Sequence, residues 1–124
     1  MSRRGEDGQA AVELALCLPV LVALALVLLQ VALVVRDQVL VTHAAREAAR
    51  EAAVSGDVAA IRRAAAAGAH LDPDRLEVVI TGRGVPGSRV SVEVRYASPT
   101  DLPIVGALVG DAHLSAFAAM RVEM

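Results

Sequence analysis

The residue with the most chemistry open to it in this sequence is Glu13. It follows Gly8 by five positions and stands at the threshold of a run, Leu14 to Val35, that carries no charge. Within that run only Gln30 is strongly polar. An ionised carboxylate carried well into a bilayer costs about 2.5–3.5 kcal/mol on insertion scales. Glu13 therefore either reaches the headgroup level or pairs with a positive group, and its position alone permits both. The other reactive side chains are dispersed. His43, His70 and His113 fall in three different elements, none with a metal-type partner at helical or strand spacing. Cys17 lies inside the apolar run, out of reach of any soluble histidine for nucleophilic work. As a single cysteine it excludes an internal disulfide, and it reads as an apolar packing residue. The stretch Gly82-Arg83-Gly84-Val85-Pro86-Gly87 has the glycines of a phosphate cradle but no Gly-Lys-Ser/Thr ending and no following helix, so it reads as a hairpin loop. No constellation is catalytic, none holds a metal or cofactor, and the chain is not expected to be an enzyme.

The elements that position these groups follow from composition and periodicity. A helix needs about 20 mostly apolar residues to cross a bilayer, and Leu14 to Val35 supplies them. Lipid offers the backbone no hydrogen-bond partners, so the run is expected to form one unbroken helix. Pro19 removes one backbone bond and bends it. Met1 to Gly8 is a short hydrophilic leader with Arg3 and Arg4, which places the N-terminus on the cytoplasmic side by the positive-inside rule. A secretory signal peptide would have a shorter apolar core with a small-residue cut site behind it.

Arg36 to Ser55 is rich in alanine and continues the helix beyond the membrane. At about 100° per residue, His43, Arg46, Glu47, Arg50 and Glu51 gather on one side. Val41, Ala45, Ala48 and Ala52 form the opposite, packing face. Its small side chains admit a close backbone, either a neighbour's or that of the chain's own globular part. Gly56 suits a C-cap and Asp57 an N-cap. A second helix is expected over Val58 to Gly68, with Val58, Ile61 and Ala65 on one face. Asp72-Pro73-Asp74 signals a turn. Strict period-two alternation then marks strands at Leu76–Ile80 and Val90–Tyr96, with a last strand from about His113 to Val122. Residues 76, 78 and 80, then 90, 92, 94 and 96, then 114, 116, 118, 120 and 122 are expected to face inward. Between the last two strands, Leu102, Ile104, Val105, Leu108 and Val109 form an apolar group, either a cover over one end of the sheet or an exposed patch for a neighbouring subunit.

With 124 residues, the chain holds one small domain besides the membrane helix. Hydrophobic residues make up 56% and aromatics only 2%, so the apolar mass is alanine, valine and leucine. The net charge of −2 gives no footprint for nucleic acid. The expected architecture is α+β. Residues 1–8 form a cytoplasmic leader, 9–35 a transmembrane helix, 36–55 its extracytoplasmic continuation, and 56–124 a small domain with a short helix and an antiparallel sheet of about three strands.

Gly8 with Glu13 resembles the processing site of type IV pilin-like precursors. The run Ala10-Ala11-Val12-Glu13-Leu14-Ala15-Leu16, then Leu18-Pro19, and the later Ala44-Ala45-Arg46-Glu47-Ala48-Ala49-Arg50 are similar to the TadE-like minor pilins, or pseudopilins, of tight-adherence (Flp) pili. The resemblance covers about the first 50 residues. It implies that a prepilin peptidase cuts after Gly8, leaving Gln9 as the first residue of the mature chain. It also implies that Glu13 pairs with the N-terminal amine of a neighbouring subunit. The implied partners are the prepilin peptidase, other pilins or pseudopilins, the pilus assembly machinery and the lipid bilayer. The implied location is the cytoplasmic membrane, single pass, or the extracellular pilus after assembly. Two departures stand out: Gln9 replaces the aromatic first residue of major pilins, and Gln30 falls where many relatives carry an acidic residue. A signal-anchored envelope protein, uncut after Gly8, with an outer domain that binds or regulates a partner, is the alternative.

Overall fold

A computed structural model describes residues 3–100 and 105–123. Met1 and Ser2 of the expected leader, Leu102 and Ile104 of the expected apolar group, and Met124 lie outside the described residues. One helix dominates. α1 runs unbroken from Arg3 to Val54, 52 residues, through Pro19 and past the end of the apolar run. Its N-terminal half is largely exposed, with Leu14, Leu16, Val20 and Leu24 each more than half exposed. It is long and apolar enough to cross a membrane. The second half is covered. Val41, Ala44, Ala45, Ala48, Ala49 and Ala52 are at most 1% exposed.

The covering comes from α2 (Val58–Ala69) on one flank and a three-stranded sheet on the other. α2 folds back along α1 as a helical hairpin, and the small residues set how closely. A Cβ on Gly68 would come within 2.9 Å of Glu47 Cγ. Asp57 caps α2, its Oδ1 accepting from the amide of Ala59 at 3.0 Å, as its position predicts. Gly68 does not close this helix. The chain leaves it two residues later at His70, which holds φ of 54° in the left-handed region. Nor does Gly56 cap α1 with a left-handed turn. The Arg83 guanidinium takes that place, its Nε donating to the Ala52 carbonyl at 3.1 Å. The guanidinium lies close over Gly56, where a Cβ would stand 2.6 Å from Arg83 Nη1 and would push that side chain aside.

After a single 3-10 turn at Pro73–Arg75 come β1 (Leu76–Thr81), β2 (Arg89–Ser98) and β3 (Ala112–Arg121), antiparallel in the order β1-β2-β3. The register opposes Leu76 to Tyr96 and Val90 to Met120. The predicted alternation appears most clearly on β2, where Val90, Val92, Val94 and Tyr96 are buried against the helices. On β3 the same face is only half covered, and Met120 is exposed. The core is therefore a two-layer α+β sandwich of valines against alanines, as the composition predicts.

α1 runs antiparallel to β2. At one end of the sheet Ser98 Oγ donates to Asp37 Oδ2, and Gln38 Nε2 donates to the Ser115 carbonyl at 3.0 Å. At the other end the Glu123 amide donates to the Ala53 carbonyl at 3.0 Å. The β2–β3 end of the sheet thus faces the free half of α1. The connection there carries a short helix, α3 (Val105–Val109), which lies along α1. Of the expected apolar group, Leu108 is described on this helix and is exposed.

Candidate functional site

Gly8, Gln9 and Glu13 all lie on the exposed first turns of α1. Gly8 is in open space: a Cβ there would meet nothing within 4 Å. A glycine inside a helix costs about 0.5–1 kcal/mol relative to alanine. With Gly5, Gly8 makes the first turns of α1 easier to unwind than an alanine-rich segment would be. Gln9 and Glu13 are one turn apart and share a face. Gln9 Nε2 donates to Glu13 Oε1 at 3.3 Å. Glu13 makes no salt bridge among the described residues, and its second carboxylate oxygen is open to an approaching donor.

The packing face predicted on α1 has a definite neighbour. Val41, Ala45, Ala48 and Ala52 are buried by the chain's own α2 and sheet, so the close approach their small size allows is used within one molecule. The large apolar side chains that α1 leaves exposed lie mostly before Gln30, with Val31, Val35, Val39 and Val54 beyond it.

Gln30 is where the two halves meet, and its role was not legible in the sequence. It is 8% exposed although it sits within the apolar run. Its Nε2 donates to Thr100 Oγ1 at 3.3 Å, while its Oε1 is buried without a partner among the described residues. Thr100 is held in turn, its hydroxyl donating to the Gly110 carbonyl at 2.6 Å and its amide to Asp111 Oδ1 at 3.4 Å. Arg75 donates to Asp111 Oδ2 at 3.1 Å, which joins the 3-10 turn to the same cluster. The only hint in the sequence was a lone amide in an uncharged run.

The remaining reactive groups stay apart. His43, His70 and His113 are exposed in separate elements, and Cys17 is exposed on α1. Among the described residues no group of three His, Cys, Asp or Glu side chains converges as a metal site would. On the outer face of the sheet, Glu93 and then Glu77 raise the already high pKa of Arg95, which stays charged at any working pH. That cluster is exposed, and its one guanidinium is shared between two carboxylates.

Comparison with known families places these observations in a class. The sequence model described as TadE-like protein matches residues 8–50. The matched segment begins at Gly8, includes Glu13 and the whole free half of α1, and ends at Arg50 on the covered half. Over these residues the chain is similar to TadE-like proteins. Searches of curated proteins and of solved structures gave no match.

Proposed function

We propose that this chain is a minor pilin or pseudopilin of a tight-adherence pilus, either entering the filament or acting as a membrane-held assembly factor. The observation that carries this reading is the TadE-like segment beginning at Gly8, with Glu13 exposed at the head of a free apolar helix. The physical sequence is short. The N-terminal half of α1 anchors the chain in the cytoplasmic membrane, with Arg3 and Arg4 inside and the sheet domain outside. A prepilin peptidase cuts between Gly8 and Gln9, where glycine lets the helix open. The new amine on Gln9 lies one helical turn, about 5–6 Å along the axis, from Glu13. In an assembly the Glu13 carboxylate accepts from a neighbouring subunit's Gln9 amine, so neither charge is left alone among apolar helices. The exposed leucines and valines of α1 pack on the helices of other pilins, and the sheet domain faces away from the membrane.

The test separates pairing from mere location at the interface. Glu13→Gln keeps size and hydrogen bonding and removes the charge. Recovery of partner pilins in a pull-down, normalised to membrane level, should fall for the variant while insertion is unchanged. Equal recovery at equal membrane level would show that the carboxylate is not a subunit contact.

A second reading has its own observation. The TadE-like segment ends at Arg50, and the sheet lies beyond it. An uncut, signal-anchored protein whose outer domain binds or regulates an envelope partner would have the same anatomy.

A further inference from the structure

We propose that α3, the described helix of the β2–β3 connection, is a foot that enters the outer leaflet of the bilayer and, with α1, forms a groove occupied by lipid acyl chains. This rests on the membrane reading of α1 given above. The first observation is where the connection reaches. Leu108 on α3 faces Leu18, Pro19, Val22 and Leu26 of α1 across an open groove of about 450 Å³. Leu26 lies about 15 Å along the helix axis from Arg36, the first charge beyond the apolar run, and Leu18 lies farther still. The tip of the connection therefore stands beside residues that belong to the membrane-crossing part of the helix. Leu108 is 80% exposed in the single chain.

The second observation is how the connection is built. Its neck is polar and closed. Thr100, Gly110 and Asp111 are hydrogen-bonded together, and Asp111 is paired with Arg75. Its described tip, Val105 to Gly110, carries no charged or polar side chain. The tip is a short helix, and the Gly110 amide donates to the Gly106 carbonyl at 3.3 Å at its end. The division between polar neck and apolar tip falls beside Gln30, whose amide would otherwise face lipid and is instead buried against Thr100.

The occupant follows from depth and chemistry. The groove offers no hydrogen-bonding side chain by which a partner segment could be recognised. At that level of α1 the surrounding medium is acyl chain, which fits an open apolar slot of any contour. The placement also moves the boundary of the membrane. With the neck at Gln30 in the headgroup layer, a hydrocarbon core of about 30 Å takes about 20 helical residues and ends near Ala10. Glu13 then lies just inside the core, whereas a boundary at Val35 would leave it just outside. The foot thus converts Glu13 from a side chain that could simply reach water into one that needs a partner.

The chain contains no Trp, so single-tryptophan variants of the full chain report depth directly. The variants are Leu24→Trp on α1, Leu108→Trp and Ala107→Trp on the tip, and Val85→Trp in the β1–β2 loop at the far end of the sheet. Each is reconstituted in phosphatidylcholine–phosphatidylglycerol vesicles, with or without bromine on the acyl chains, and also titrated with aqueous acrylamide. Both tip variants should resemble Leu24→Trp, with blue-shifted emission mostly lost in brominated lipid and little affected by acrylamide. Val85→Trp should show the reverse. Tip variants quenched by acrylamide and not by bromine, with Leu24→Trp still quenched by bromine, would overturn the foot and leave the anchor standing. Tip variants shielded from both quenchers would overturn lipid in favour of a second copy of the chain. Leu24→Trp untouched by brominated lipid would overturn the anchor and the foot together.

Discussion

Gln30 is the residue on which the reading of the N-terminal helix turns. Its amide nitrogen has a partner in Thr100 and its oxygen has none among the described residues, so the pair is only half satisfied. Removing a buried group with its unmet need is cheap, whereas removing its partner costs about 1–3 kcal/mol. Gln30→Leu should therefore melt at or above the wild-type temperature in the same detergent. Thr100→Val should melt clearly below it, because it strands the Gln30 amide and frees the Gly110 carbonyl. Equal losses for the two variants would show that the contact is an ordinary mutual bond. Glu13 belongs to the same scale, but its value lies between molecules: within the chain it meets only the Gln9 amide.

At the scale of elements, two positions test what holds the domain to α1. Ala48 is fully buried where α1 meets its covering layers, and Ala48→Leu should cost about 1–3 kcal/mol by overpacking, read as a lower melting temperature. His70 ends α2 with φ of 54°. The left-handed conformation costs a non-glycine residue about 1–2 kcal/mol. Glycine there forfeits about 0.4–1 kcal/mol through the unfolded chain. His70→Gly should thus be neutral or stabilising by up to about 1 kcal/mol, and a marked loss would mean that the imidazole makes a contact of its own. The elements themselves were legible because their signals are local. An uncharged run gave α1, alternating valines gave β2, and Asp57 before an alanine-rich stretch gave the start of α2. The helix ends were less legible, because one is settled by a distant group and the other by a residue in an unusual conformation. Arg83 caps α1 from a loop some thirty residues on, and His70 closes α2 although Gly68 is the better glycine signal. The neighbour of the alanine face was also beyond the sequence. Small residues at helical spacing state that something comes close, and the fold shows it to be α2 and the sheet.

At the scale of the molecule, the chain has two unlike halves. One half of α1 is exposed, apolar and free; the other is the spine of a small α+β domain. The TadE-like segment spans both and begins at the glycine where the leader would end. That is why the first residues of the sequence carry the functional reading and the sheet does not. The sheet's alternation says how it folds, and its outer face, with an exposed Phe117 and the paired Glu77–Arg95–Glu93 cluster, names no partner. The most direct measurement on the central claim is N-terminal sequencing of the protein extracted from membranes that contain the cognate prepilin peptidase. The account predicts a chain beginning at Gln9, and retention of the leader when Gly8 is replaced by leucine. A wild-type chain that still begins at Met1 or Ser2 would contradict it.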